Sequence, residues 1–163
     1  MKKTNTHLYT GKAAHLAVMA ELAYLGYNVA SPEIDIGDDV FAINDESGNA
    51  WRIQVKSGKT TKQNKSVATT FSLREDQLLK ATTPELYYIF VGRNGDTWRF
   101  VILQRSVLKH LYEHDKLGSK FKNKQAKKDY INFRVVFHDD GRVICGGKDL
   151  QAYLNKWTTI PKN

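Results

Sequence analysis

Three side chains in this sequence have the types and spacing to bind a hard cation and act on a phosphate. They are Asp39, at the head of the apolar run VFAI (40–43), and Gln54 and Lys56, within WRIQVKS (51–57). A strand alternates its side chains between two faces, so Gln54 and Lys56 share one face while Ile53 and Val55 share the other. Ile53 and Val55 are expected in a core, and Gln54 and Lys56 on a wet face. If the two runs pair through the turn DESGN (45–49), one end of the hairpin gathers a carboxylate, a side-chain carbonyl oxygen and an ammonium. Oxygen ligands of this kind suit Mg²⁺, which uses few protein groups and keeps several waters. A lysine beside such a cation could orient a water or stabilise charge developing on a phosphate.

The elements that must position these residues follow from patterning. Apolar residues recur at helical spacing from Leu8 to Leu25, and Gly26 stands where a helix C-terminal glycine belongs. VFAI and WRIQVKS read as a hairpin, and GKTTKQNKS (58–66) as a basic loop. VATTF (67–71) reads as a strand. Ser72 followed by Glu75 has capping-box spacing, so a helix is expected from there. LYYIFV and TWRFVIL flank the turn RNGD, SVLKHLYEH is expected as a short helix, and KLGSKFKNKQAKKD as a loop. INFRVVF and RVIC flank DDG, and KDLQAYLNKW is expected to close the chain as a helix. This order implies an α/β fold with a mixed central sheet flanked by helices.

The 163 residues suit one domain, 1–163, and the ordinary hydrophobic share of 41% argues against wholesale disorder. A formal charge of +8 favours a polyanionic partner, with nucleic acid ahead of a membrane surface. Cys145 is the only cysteine, which excludes an intrachain disulfide and a Cys-based zinc cluster. No phosphate-binding glycine motif is present. The first residues lack a continuous apolar stretch, and no run approaches the length of a membrane span, so a soluble, cytoplasmic protein is expected.

The run GKAAHLAVMAELAYLGYNVASPEIDIGDDVFAI (11–43), followed by WRIQVKSG (51–58), resembles the PD-(D/E)XK nuclease superfamily. FSLREDQLLKATTPELYYIFV (71–91) and TWRFVILQRSVL (97–108) look like the core strands and second helix of its small members, the homing-endonuclease and Holliday-junction-resolvase types. The resemblance implies a restriction-endonuclease-like fold and a Mg²⁺-dependent deoxyribonuclease, with Mn²⁺ as a substitute. It implies that Asp39 is a metal-binding aspartate, that Lys56 is the catalytic lysine, and that the Val55 backbone carbonyl is a further metal ligand. Gln54 stands where most members carry Asp or Glu, a neutral oxygen in place of a charged one. His15 stands four residues after Gly11, where relatives often carry Glu, and imidazole is a poor ligand for Mg²⁺. Glu21, Glu33 and Asp35 are other carboxylates near this part of the chain.

Lys59, Lys62 and Lys65 recur every three residues through the loop that leaves the Lys56 strand, and Gln63 lies among them. They are expected to contact phosphates of double-stranded DNA, with Gln63 able to reach base edges. A second basic cluster runs from Lys116 to Lys128. Trp51, Trp98, Tyr87 and Tyr88 are read as packing residues, and Asp38 as a turn residue. One small chain has one active site, so cutting both strands implies a homodimer or a higher symmetric homo-oligomer. The alternative reading is a catalytically weak or inactive DNA-binding module on the same fold, with an RNA-binding or protein-interaction domain as the rival of another class.

Overall fold

Helix α1 (Thr6–Tyr24) buries Ala14, Val18 and Leu22, one residue per turn, against a sheet. A computed structural model of the chain describes residues 6–34, 37–123 and 127–162. The sheet under α1 has five strands: β1 (Asn28–Ala30), β2 (Val40–Ile43), β3 (Ala50–Ser57), β6 (Leu86–Asn94) and β7 (Thr97–Gln104), in the spatial order β1-β2-β3-β6-β7. β2 and β3 form the expected antiparallel hairpin, with Val40 opposite Ile53. β3 and β6 run parallel, with Gln54 opposite Tyr88, and β6 and β7 run antiparallel.

A second sheet holds β4 (Thr60–Gln63), β5 (Ser66–Arg74), β9 (Lys128–His138), β10 (Val143–Cys145) and β11 (Lys148–Asp149), with β8 (Ser119–Asn123) pairing β9. Helices α2 (Glu75–Leu79) and α3 (Arg105–Asp115) complete the layers. Both faces of β6 are buried. Tyr87, Ile89 and Val91 pack in the core under α1, and Leu86, Tyr88 and Phe90 in the core shared with the second sheet. There Phe90 stacks on Phe71 at 4.7 Å, and each fully buried aromatic of this kind contributes about 1.5–3 kcal/mol. The architecture is a mixed α/β fold, with two sheets in place of one central sheet.

The differences from expectation have local causes. GKTTKQNKS is not a loop: Thr60 to Gln63 pair with Ser66 to Thr69, because β-branched threonines favour extended backbone and only Asn64 and Lys65 are needed to turn. Ser72 caps no helix. It lies in β5, opposite Asn132, and its hydroxyl donates to the Asn132 side chain, so α2 begins only at Glu75. Ser119 to Asn123, expected in a loop, form β8. The closing helix is replaced by β11 and two single 3₁₀ turns, Gln151–Tyr153 and Trp157–Thr159. Asn155 interrupts that segment with a left-handed φ of 51°. Its backbone N–H donates to Phe100 O, and its side-chain oxygen accepts from Phe100 N, so pairing to β7 overrides the helical pattern.

The aromatic residues pack as expected. Trp51 meets Tyr27 edge-on at 5.7 Å, and the Tyr87 hydroxyl accepts from Gln104. Cys145 is a buried free thiol, and burial pushes its pKa up to about 12, leaving it inert as a nucleophile.

Candidate active site at the edge of the β2–β3 hairpin

The hairpin opens irregularly at its Asp39 end. Val40 pairs with Ile53 in register, yet Ile53 O also accepts from the backbone N–H of Asp39, at 2.8 Å. Two residues of one strand thus meet one of the other, as in a β-bulge, which re-aims the side chains around it. The Asp39 carboxylate then reaches past Gln54 and accepts from the Val55 N–H at 2.7 Å. The N–H and C=O of one strand residue leave on the same side, so the Val55 carbonyl heads toward this same edge, beyond the start of β2.

Gln54 is not on a wet face. The second sheet covers that side of β3, and the residue is only 4% exposed. Among the described residues its side-chain oxygen has no hydrogen-bond partner. A buried amide oxygen left unsatisfied carries a desolvation cost of about 1–3 kcal/mol, which a cation would offset. Gly37 frames it: φ is +111°, and a Cβ there would lie 2.5 Å from the Gln77 side-chain nitrogen and 3.7 Å from that of Gln54. The positive φ is what favours glycine here, since the Gln77 amide at the end of its flexible side chain could move aside. The donor set of one carboxylate, one orphaned buried carbonyl oxygen and one backbone carbonyl fits a hard cation that keeps waters. Among the described residues no three His, Cys, Asp or Glu side chains converge, so no richer ligand set is built.

Lys56 follows two residues on, half-buried, on the Gln54 side of β3. α1 closes the opposite side. A Cβ on Gly11 would lie 3.8 Å from Ser57 Oγ, so the first half of the helix crosses β3 just past Lys56. One turn on, His15 Nε2 lies 3.1 Å from Ser31 Oγ. Burial and the Lys12 charge hold the His15 pKa below its usual value, while the nearby Asp39 carboxylate pulls the other way. The structure therefore joins Asp39 to Val55 directly and sets His15 near the Asp39 carboxylate, while Gln54 and Lys56 flank Val55 on the face of β3 turned away from α1. Glu33 is exposed on the segment after β1, and Asp35 lies outside the described residues.

Sequence reasoning missed the polar layer behind Gln54. Asp38, expected in a turn, is buried and accepts twice from Arg52, at 3.0 and 3.1 Å. Arg52 shares the alternating face of Gln54 and Lys56, a signal that WRIQVKS does contain. Arg74 pairs with Asp76, and these groups line a cleft of about 440 Å³ together with Gln77, Lys80 and Thr82. The Tyr88 hydroxyl, opposite Gln54 in register, is buried without a partner among the described residues, and burial raises its pKa strongly.

Lys62, Gln63 and Lys65 are exposed on the β4–β5 hairpin, and Lys59 is exposed on the approach to it. The second basic cluster is partly neutralised. Lys120 reaches Glu75 at 2.6 Å and Asp129 at 3.0 Å, and Lys124 lies outside the described residues. Among the described residues no helix is long and apolar enough to cross a membrane.

No family model matches the chain, and no curated protein matches its sequence. Its fold is similar to the solved structure of a bacterial homing endonuclease, I-Ssp6803I, with a TM-score of 0.57 and 14% sequence identity. The match covers 96% of this chain and 92% of that one. A likeness at that identity shows the fold, a nuclease-like mixed α/β arrangement.

Proposed function

We propose that this chain, acting as one domain over 1–163, is a Mg²⁺-dependent DNA endonuclease of the PD-(D/E)XK type that hydrolyses phosphodiester bonds. One observation carries the reading: the buried Gln54 oxygen has no partner among the described residues, and it stands one residue before Val55, whose N–H the Asp39 carboxylate accepts from, and two before Lys56 on the same face of β3. The nuclease-like fold supports it.

Asp39, Gln54 Oε1 and the Val55 carbonyl would hold Mg²⁺, or Mn²⁺ in its place. When bound, the cation would supply Lewis acidity toward a phosphoryl oxygen and lower the pKa of a coordinated water. Lys56 places its ammonium beside the scissile phosphate and stabilises the negative charge that grows there. His15, kept neutral at pH 7 by its lowered pKa, offers an imidazole that can hold a water in line. Lys62 and Lys65 on the β4–β5 hairpin and Lys59 on the approach to it contact phosphates of double-stranded DNA, and Gln63, whose side-chain oxygen accepts from Ser66 Oγ, can turn its amide N–H groups to base edges. One site per chain cuts one strand, so a double-strand break takes a symmetric pair.

A second reading, a DNA-binding module without turnover, draws on one observation. Asp39 is the sole carboxylate of the proposed donor set, and it already accepts from Val55 N–H. Supercoiled plasmid incubated with Mg²⁺ or Mn²⁺ separates the two. The wild type should give nicked and linear DNA and Lys56→Ala should not, whereas binding without cleavage by either protein would favour the module.

A further inference from the structure

Helix α1 is apolar on the face turned away from its sheet as well as on the buried one. At 100° per residue, Tyr9, Ala13, Leu16, Ala20 and Ala23 fall within an arc of about 80° centred opposite Val18, which is fully buried. Their spacing of four, three, four and three is that of a helix–helix seam. Tyr9 is 72% exposed, Leu16 53% and the neighbouring Tyr24 89%. Most surface helices carry charge on this side.

We propose that this face pairs with the same face of a second copy of the chain, the two α1 helices running antiparallel about a two-fold axis at Leu16. The seam spacing is nearly the same read from either end, as a self-complementary contact requires. About that axis Leu16 meets Leu16, and the large Tyr9 of one copy meets the small Ala23 of the other. Parallel pairing would stack tyrosine on tyrosine and leave layers of alanine facing alanine. Tyr24, 89% exposed, borders the seam and extends its apolar surface beside Tyr9 and Leu16, and a standard interface takes roughly 800 Å² from each partner. Charge selects this face too. Each copy carries +8, and the seam itself contains no ionisable cation or carboxylate, with Lys12 at its border, so two copies approach there against least repulsion.

The readout is mass, independent of cleavage. Sedimentation equilibrium of the full chain without DNA should give twice 18.6 kDa. Leu16→Glu should weaken the dimer by about a hundredfold or more, by setting two carboxylates on the axis, with its circular dichroism unchanged. Under oxidising conditions, Tyr9→Cys mixed with Ala23→Cys should form a disulfide-linked dimer, and neither variant alone should, Cys145 being buried. A wild type that stays monomeric overturns the proposal. So does a dimer indifferent to Leu16→Glu, and so does cross-linking of Tyr9→Cys to itself or of neither pairing.

Discussion

The carboxylate of Asp39 accepts a hydrogen bond from the backbone N–H of Val55 at 2.7 Å, occupying the ladder position next to which β2 has not yet begun. One residue thus has two roles to separate: it completes the β3 edge, and in the proposed site its charge holds a cation. Asparagine keeps the first and removes the second.

Asp39→Asn should therefore unfold within about 0.5 kcal/mol of the wild type, whereas Asp39→Ala, which leaves the Val55 N–H without its acceptor, should lose about 1–2 kcal/mol. Both should abolish Mg²⁺-dependent cleavage. Urea melts and plasmid cleavage, run on the two variants side by side, check this; an active Asp39→Asn protein would mean that the carboxylate charge is dispensable.

Gln54 lies in a buried polar layer, so Gln54→Glu should do two opposite things. Without metal, a buried carboxylate lacking a partner should cost about 1–3 kcal/mol near neutral pH. With Mg²⁺, the added charge beside the cation should tighten binding and recover stability. The Tm rise on adding Mg²⁺ should be larger in Gln54→Glu than in the wild type, and calorimetric titration should show a lower Kd. Equal Tm rises in both proteins would remove Gln54 from the ligand set.

His15 predicts a pH dependence. Its folded pKa lies below the ordinary 6.5, chiefly through burial. Between 6.5 and that lower value the unfolded chain binds a proton that the folded chain does not, so stability is complete above 6.5 and falls as pH drops through this window. His15→Gln should flatten that part of a stability–pH curve measured by urea denaturation. An unchanged slope would place His15 in an environment that does not disfavour its charge.

The hairpin, and the common face of Gln54 and Lys56 on it, were legible in the sequence because Ile53 and Val55 alternate with Gln54 and Lys56, a period of two that a strand satisfies. What the alternation did not say is what covers the second face. Gln54 was expected wet, and the second sheet buries it: VATTF was expected as a strand, but its pattern did not say that it would pack over this face of β3, and β4 comes from a segment whose lysines and asparagine resemble a loop. Asp38 was invisible for a related reason: its partner Arg52 lies fourteen residues on, and only the bulge at Asp39 turns the two toward each other. The terminal segment misled through true periodicity. Leu150, Leu154 and Trp157 have helical spacing, but the double hydrogen bond between Asn155 and Phe100 outweighs it.

The β4–β5 hairpin gives a test of the DNA contact. Replacing Lys59, Lys62 and Lys65 together should reduce the dependence of log affinity on log salt by up to about three steps of 0.9 on duplex DNA. Replacing Lys120, which already pairs with Glu75 and Asp129, should change the slope little. Fluorescence anisotropy across a salt series measures both, and a slope unmoved by the triple change would take the hairpin off the DNA.

The central claim, a cation held at the edge between Asp39 and β3, is tested most directly by a crystal of the protein soaked in Mn²⁺ and measured at the manganese edge. The account predicts an anomalous peak bounded by the Asp39 carboxylate, Gln54 Oε1 and the Val55 carbonyl, at the roughly 2.0–2.3 Å expected for a hard cation with oxygen ligands. A peak elsewhere, or none at this edge in a crystal that binds Mn²⁺ at other carboxylates, would contradict it.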